Sequence, residues 1–167
     1  MVACPMKIGP FRGAHGFLSN MWECPVLYDG ITYPSAEHAY QAARYTSNVV
    51  RIRIAGLGTP VEAKHFKRDH PEVRPDTPIF NDVKKAIMHD IVRAKFFNNL
   101  GLGKCLIETA PHGLVETGWW HDNYWGTCTC NNKDGRHPRC LKPGLNVLGT
   151  VLMDVRYLLI ATPEDER

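Results

Sequence analysis

The stretch that most restricts the fold is Ile31-Thr32-Tyr33-Pro34-Ser35-Ala36-Glu37-His38-Ala39-Tyr40-Gln41, preceded by Asp29-Gly30. Asp-Gly supplies the positive φ angles of a type I′ turn, so Pro25-Val26-Leu27-Tyr28 and Ile31-Thr32-Tyr33 are expected to pair as a hairpin. Pro34 discourages helix ahead of it. The Ser35 hydroxyl can accept from the free amides of a first turn, so the second strand should hand over to a helix there. At 3.6 residues per turn, Glu37, Tyr40 and Gln41 share one face, where a carboxylate, a hydroxyl and an amide could converge on one ligand, while His38 points elsewhere. The same residues also suit an ordinary boundary helix, because the dipole favours an acid in the first turn.

Further elements follow from local signals. Phe17-Leu18-Ser19-Asn20-Met21-Trp22 reads as a core-packed loop whose polar groups serve the backbone or a ligand, the backbone being favoured. Ser47 is placed to cap a short helix through Val49, Val50, Ile52 and Ile54 that Gly56 ends. Thr59-Pro60-Val61-Glu62 carries a capping box for a helix to about Lys67 or Arg68. Thr77 before Pro78 should start a long helix with Val83, Ile87, Ile91 and Ala94 as its apolar stripe and Lys84, Met88 and Lys95 beside it. Gly101 and Gly103 read as breaks before one or two helical turns over 104–110, and Leu114-Val115-Glu116 as a short strand. Gly144 precedes a helix with Leu145, Leu148, Leu152, Val155 and Leu159 inward. Asn146 falls in its first turn, whose free amides favour anions such as a pyrophosphate.

A chain of 167 residues should form one domain, and its 20 basic against 17 acidic residues give a net charge of only +3. With no basic run, composition does not demand a nucleic-acid groove or an anionic membrane surface. The N-terminus lacks the apolar core of a signal peptide and no apolar run approaches a membrane span, so a soluble cytoplasmic protein is expected. The six cysteines therefore read as thiols or metal ligands more readily than as disulfides. Cys128, Cys130, His137 and Cys140 could hold zinc, but without a Cys-x-x-Cys pair the spacing matches no standard module, and the expectation is no metal and no cofactor. Trp119, Trp120 and Trp125 crowd one segment and either plug a core or offer a stacking wall.

Phe17-Leu18-Ser19-Asn20, Asp29-Gly30, Tyr33 through Ala42, Leu114-Val115-Glu116, Asp122-Asn123-Tyr124-Trp125-Gly126, Gly144-Leu145-Asn146-Val147-Leu148-Gly149, Leu152-Met153 and Val155-Arg156 occur in that order. Together, over about residues 11–159, they resemble the NADAR (YbiA-like) family. The resemblance implies a single compact α+β domain over 1–167, with several helices and a small, mainly antiparallel sheet, and a pocket for ADP-ribose-like compounds. It implies cleavage of a C–N glycosidic bond, either of ADP-ribose on a guanine base or of phosphoribosyl-pyrimidine intermediates of riboflavin metabolism. A module that binds ADP-ribose without turnover is the alternative. The substrate would be an ADP-ribose-containing compound, such as ADP-ribosylated nucleic acid or nucleotide. Carried over by position, the pocket comprises Asn20, Glu37, Tyr40, Gln41, Arg68, Lys84, Glu116, Asp122, Trp125 and Asn146. Departures are Lys67-Arg68 where relatives have Gly-Arg, Phe80 for tryptophan, Arg44 for lysine, and a longer cysteine-rich loop at about 127–143.

Cleaving a ribosyl C–N bond requires stabilisation of a cation-like C1, a nucleophile, and a proton for the departing base. Glu37 and Asp122 are the candidate carboxylates, with Glu116 third. A lysine beside apolar packing has its charged form disfavoured and can attack a ring-opened ribose aldehyde, the role open to Lys84, which could equally be a snorkelling edge residue. Trp125 could stack on the base and Arg68 could pair with phosphate.

Overall fold

The computed structural model describes residues 6–77, 80–119, 121–130, 140 and 142–166. In chain order these form β1 (Lys7–Ile8), a 3-10 turn over Gly13–Leu18, β2 (Glu23–Tyr28), β3 (Ile31–Ser35) and the helices α1 (Ala36–Ala42), α2 (Asn48–Ala55), α3 (Pro60–Asp69), α4 (Phe80–Phe97) and α5 (Leu100–Glu108). Then come β4 (Gly113–Leu114), β5 (Thr117–Gly118), β6 (Thr127–Cys128) and α6 (Val147–Ala161). By backbone contacts the chain divides into two units, Asn20–Gly103 and the segments Met1–Ser19 with Lys104–Glu166. The architecture is α+β. No helix among the described residues is long and apolar enough to cross a membrane.

In the first unit, Asp29 and Gly30 adopt φ of 48° and 77°, the two positive angles of a type I′ turn, and β2 and β3 pair antiparallel through Val26↔Tyr33, Leu27↔Thr32 and Tyr28↔Ile31. Asp29 is also clamped onto α2 by Arg51 at 2.7 Å. Ser35 caps α1, its Oγ accepting from the His38 amide at 3.3 Å. The capping box of α3 is complete, with the Glu62 amide donating to Thr59 Oγ1 at 3.2 Å and the Thr59 amide to Glu62 Oε2 at 2.8 Å. Ser47 sits at the N-cap of α2 without a side-chain cap bond, and α2 buries Arg51 and Ile54 while Val49 and Ile52 face water.

The stripe of α4 differs from the expected one. Phe80, Met88, Ile91, Val92, Lys95 and Phe96 are buried, whereas Val83, Ile87 and Ala94 are only half-buried. The inward face is thus rotated toward Phe80, Lys84 and Met88, because the aromatic ends of the helix supply more apolar area than the smaller Val83 and Ala94. Pro78 lies outside the described residues. Gly101 and Gly103 do not break the chain but lie inside α5, an instance of packing overriding propensity.

In the second unit, β1 pairs with β4 and β5 with β6, both parallel and two residues long, so the strands form three separate pairs, of which the antiparallel hairpin is the longest. In α6 the core side is Leu148, Val151, Leu152, Val155 and Leu159, while Leu145, expected inward, precedes the helix and is 64% exposed.

Candidate active site

Within Asn20–Gly103 the hairpin delivers the chain into α1 so that Glu37 is withdrawn from water, at 8% exposure. Gln41, one turn on, donates through Nε2 to Glu37 Oε1 at 2.8 Å, and the Glu37 amide donates to the Asn20 carbonyl at 3.0 Å. Asn20 Nδ2 donates to Met88 Sδ at 3.3 Å, while its Oδ1 is buried without a partner, an acceptor disposed to take a ligand donor. The side chain of Asn20 therefore does not serve the backbone, contrary to the expectation for this loop. Tyr40 packs against Phe80 with ring centroids 5.3 Å apart, and the Arg44 guanidinium lies 4.5 Å from the Phe80 centroid and 5.5 Å from that of Tyr40.

Phe80, Lys84 and Met88 follow one another at four-residue spacing and form a ridge of α4. One end of that ridge touches Tyr40 and the other touches Asn20, which brackets the half-buried Lys84 between contacts to the two residues flanking Glu37. Asn20, Glu37, Tyr40 and Gln41 are thereby gathered where α1 meets α4, with Lys84 on the α4 ridge between Phe80 and Met88. Arg68 is not drawn in by any described bond. Its side chain is 66% exposed and forked onto Asp69, Nε at 2.8 Å from Oδ1 and Nη2 at 3.2 Å from Oδ2. His38 is turned inward, bonded to Ser35 Oγ at 2.8 Å, and burial lowers its pKa.

In the second unit, Asp122 is fixed by its own turn, Oδ1 accepting from the amides of Tyr124 at 3.0 Å and Trp125 at 2.9 Å. The Trp125 ring meets Tyr124 edge-on, with centroids 4.8 Å apart. Trp119 is 69% exposed and plugs no core, and Trp120 lies outside the described residues. The carbonyls of Tyr124, Trp125 and Gly126 accept from the amides of Val147, Leu148 and Asn146.

That last arrangement corrects the reading of Asn146. It is the N-cap of α6 in the left-handed region, φ 50°, rather than a first-turn residue, and the neighbouring amides expected to attract an anion are consumed by the loop. Its side chain holds the β4 segment instead: Oδ1 accepts from the Glu116 amide and Nδ2 donates to the Leu114 carbonyl, both at 2.9 Å. Asn146 positions Glu116 rather than a ligand. Gly149 completes the seat, because a Cβ there would drive into the Leu114 carbonyl and the Asn146 amide.

Glu116 is a carboxyl of strongly altered acidity. Desolvation by burial, and less strongly the charge of Asp122, push its pKa up to about 7 against the opposing Phe11 amide and Arg12. Its Oε2 is buried without a partner. A carboxyl poised near neutrality can give up and recover a proton, which is the property a general acid needs. Phe11 and Arg12 escaped sequence reasoning because only the folded chain brings them to Glu116.

The NADAR domain family model matches residues 10–160. The N-glycosidase YbiA of Escherichia coli (strain K12) is 34% identical over 145 residues, 87% of this chain and 82% of that protein. An N-glycosidase of Nostoc punctiforme is 30% identical, covering 85% of this chain and 84% of its own. A riboflavin biosynthesis protein of Vibrio vulnificus is 30% identical over 85% of this chain but only 35% of its own length. The NMR structure of the E. coli YbiA protein aligns with a TM-score of 0.72 at 31% identity, covering 93% of this chain and 84% of that one.

Proposed function

Because the chain belongs to the NADAR domain family, and its similarity to named N-glycosidases supports hydrolysis of a C–N glycosidic bond, we propose that it releases ADP-ribose from an N-linked nucleobase adduct, with guanine as the base. The observation that supports this reading is the buried carboxylate of Glu37, oriented by the Gln41 amide and held next to Asn20, whose buried Oδ1 is unpaired.

In the proposed chemistry the bond from C1 of the ribose to the base nitrogen breaks with its electron pair going to the base, which takes up a proton. The Lys84 ammonium is assigned that donation and is left as a free amine. That amine bonds to C1, and the bond from C1 to the ring oxygen breaks as the oxygen takes a proton from Nζ, which leaves the opened sugar joined to Lys84 as a Schiff base. Water, deprotonated by Glu37, then adds to C1, the C1–Nζ bond breaks, and ADP-ribose leaves as the amine is restored.

The test is incubation of purified protein with guanine-ADP-ribosylated DNA and nucleotide, followed by chromatography of free ADP-ribose. Release supports the reading. Binding without release makes the protein a recognition module, and release only from phosphoribosyl-pyrimidines makes it a glycosidase of riboflavin intermediates, a second reading favoured by the likeness to the Vibrio protein.

A further inference from the structure

The loop that carries Asp122 and Trp125 ends in a cluster of soft ligands that the glycosidase chemistry does not use. His121 Nδ1 lies 3.3 Å from Cys140 Sγ and 3.9 Å from Cys128 Sγ, and Cys130 completes a set whose four ligand atoms all lie within 4.8 Å of one another. Tetrahedral zinc with Zn–S near 2.3 Å and Zn–N near 2.0–2.1 Å has ligand-to-ligand edges of about 3.6–3.8 Å. The two nitrogen–sulfur separations bracket that value.

We propose that His121, Cys128, Cys130 and Cys140 bind one structural zinc ion that pins the start of the Asp122 loop to its far end. Three independent features point the same way. The Cys130 amide donates to Cys128 Sγ at 3.3 Å, the kind of outer bond that disperses thiolate charge at a zinc centre. His121 is held at φ 63°, in the left-handed region that costs a non-glycine residue of order 1 kcal/mol, a conformation retained where surrounding structure demands it. Cys140 is buried with its sulfur among the His121, Cys128 and Cys130 ligand atoms, and a Cys3His set is among the standard structural zinc spheres.

The ligand set differs from the one the spacing suggested. His137 lies outside the described residues, and His121 takes its place because β5 and β6 align Gly118 with Cys128 and so return the chain past it. Zinc there joins residue 121 to residues 128, 130 and 140, fixing both sides of the segment whose carbonyls accept from the start of α6.

The full chain, purified without chelator under reducing conditions, should retain about one zinc per protein by mass spectrometry of the metal. Replacing that zinc with cobalt should give the intense visible absorption of a tetrahedral thiolate site. Cys128→Ser and His121→Ala should lose the metal, and His137→Ala should retain it. Stripping the wild-type protein with chelator should lower its melting temperature by about 5 °C or more. Less than a tenth of an equivalent of zinc, together with no cobalt absorption when the reduced metal-free chain is titrated, would overturn the proposal. So would retention of full zinc by Cys128→Ser, and so would a disulfide between any two of these cysteines in the native protein. The wild-type measurements need no variant to fold, and none of them depends on glycosidase activity.

Discussion

Glu37 and Glu116 are both withdrawn from water, yet they are held by different kinds of structure. Glu37 rides a capped helix entered from a tight hairpin, and its carboxylate is held by a side chain one turn on, the Gln41 amide of the same helix. Glu116 sits in a segment with almost no regular structure, and what fixes it is backbone: its amide to Asn146, its carbonyl accepting from Thr127 at 2.8 Å, and the close approach at Gly126, where a Cβ would come within 2.8 Å of the Glu116 carbonyl. Helices place chemistry on a face that remains when one side chain is changed. A loop held by obligatory backbone bonds has no such reserve, so the same number of atoms removed there should disturb the framework itself.

The largest expected effects are on turnover in the helical unit. Glu37→Gln keeps the shape and the bond to Gln41 in altered form but removes proton transfer, and should cut turnover about 10²-fold or more with ligand affinity and melting temperature nearly unchanged. Lys84→Ala should abolish any adduct trapped by borohydride reduction. If both variants kept wild-type rates on every substrate that the parent cleaves, the assigned chemistry would be wrong.

In the loop-built unit, stability rather than turnover should register first. Gly149→Ala forces a methyl against the Leu114 carbonyl and the Asn146 amide, and should cost about 3 kcal/mol. Asn146→Ala strands the Glu116 amide and the Leu114 carbonyl and should cost about 2 kcal/mol. Urea unfolding measures both. Losses under about 0.5 kcal/mol would erase the contrast between the units.

Lys95 tests the helical unit from its interior. It is 1% exposed, and desolvation pushes its pKa down to about 8, partly offset by the Cys24 thiol. Between about pH 8 and its ordinary 10.5 the unfolded chain binds more protons, so stability should rise with pH across that window. Lys95→Met should stabilise the protein by about 2 kcal/mol at neutral pH, and the gain should shrink as pH rises from 8.

Glu116 has the opposite sign. Its raised pKa means that the folded chain holds the proton between 4.5 and about 7, so this group's contribution to stability falls as pH rises through that window. Glu116→Gln should flatten that slope and stabilise the protein above pH 7 by about 1–2 kcal/mol. Urea unfolding of the wild type and the variant from about pH 5 to about pH 8 measures the slope. A slope that persists in the variant would assign it to another group.

The two regions were also unequally legible. Asp29-Gly30, Pro34-Ser35 and Thr59-Pro60-Val61-Glu62 are local codes, satisfied within a few residues, and each forms the turn or cap its residues specify. The contents of α1, and Lys84 at the edge of the core, could be read from periodicity. Asn146 could not, because its partners at Leu114 and Glu116 are some thirty positions away and no local pattern encodes them. The rotation of α4 failed for a related reason: Phe80 and Phe96 outweigh the smaller residues of the regular stripe only when packed. His121 as a metal ligand is hidden in the same way, since Cys128 and the nearby Cys130 arrive through the pairing of β5 with β6.

The smallest effect separates a cap that bonds from one that only matches the pattern. Thr59 and Ser47 both occupy N-caps with extended backbone, but only Thr59 accepts from an amide, at 3.2 Å, while its own amide donates to Glu62 Oε2. Thr59→Ala leaves the Glu62 amide to water and loosens the first turn of α3, which should cost about 1 kcal/mol. Ser47→Ala removes no described hydrogen bond and should cost no more than a few tenths, with α2 held instead by buried Ile54 and by Arg51 on Asp29. Thermal unfolding of the two variants side by side measures the difference. Equal shifts would mean that the hydroxyl at the start of a helix counts here through its backbone preference rather than its bond, and the helical unit would then depend less on side-chain detail than the contrast with the Glu116 segment requires.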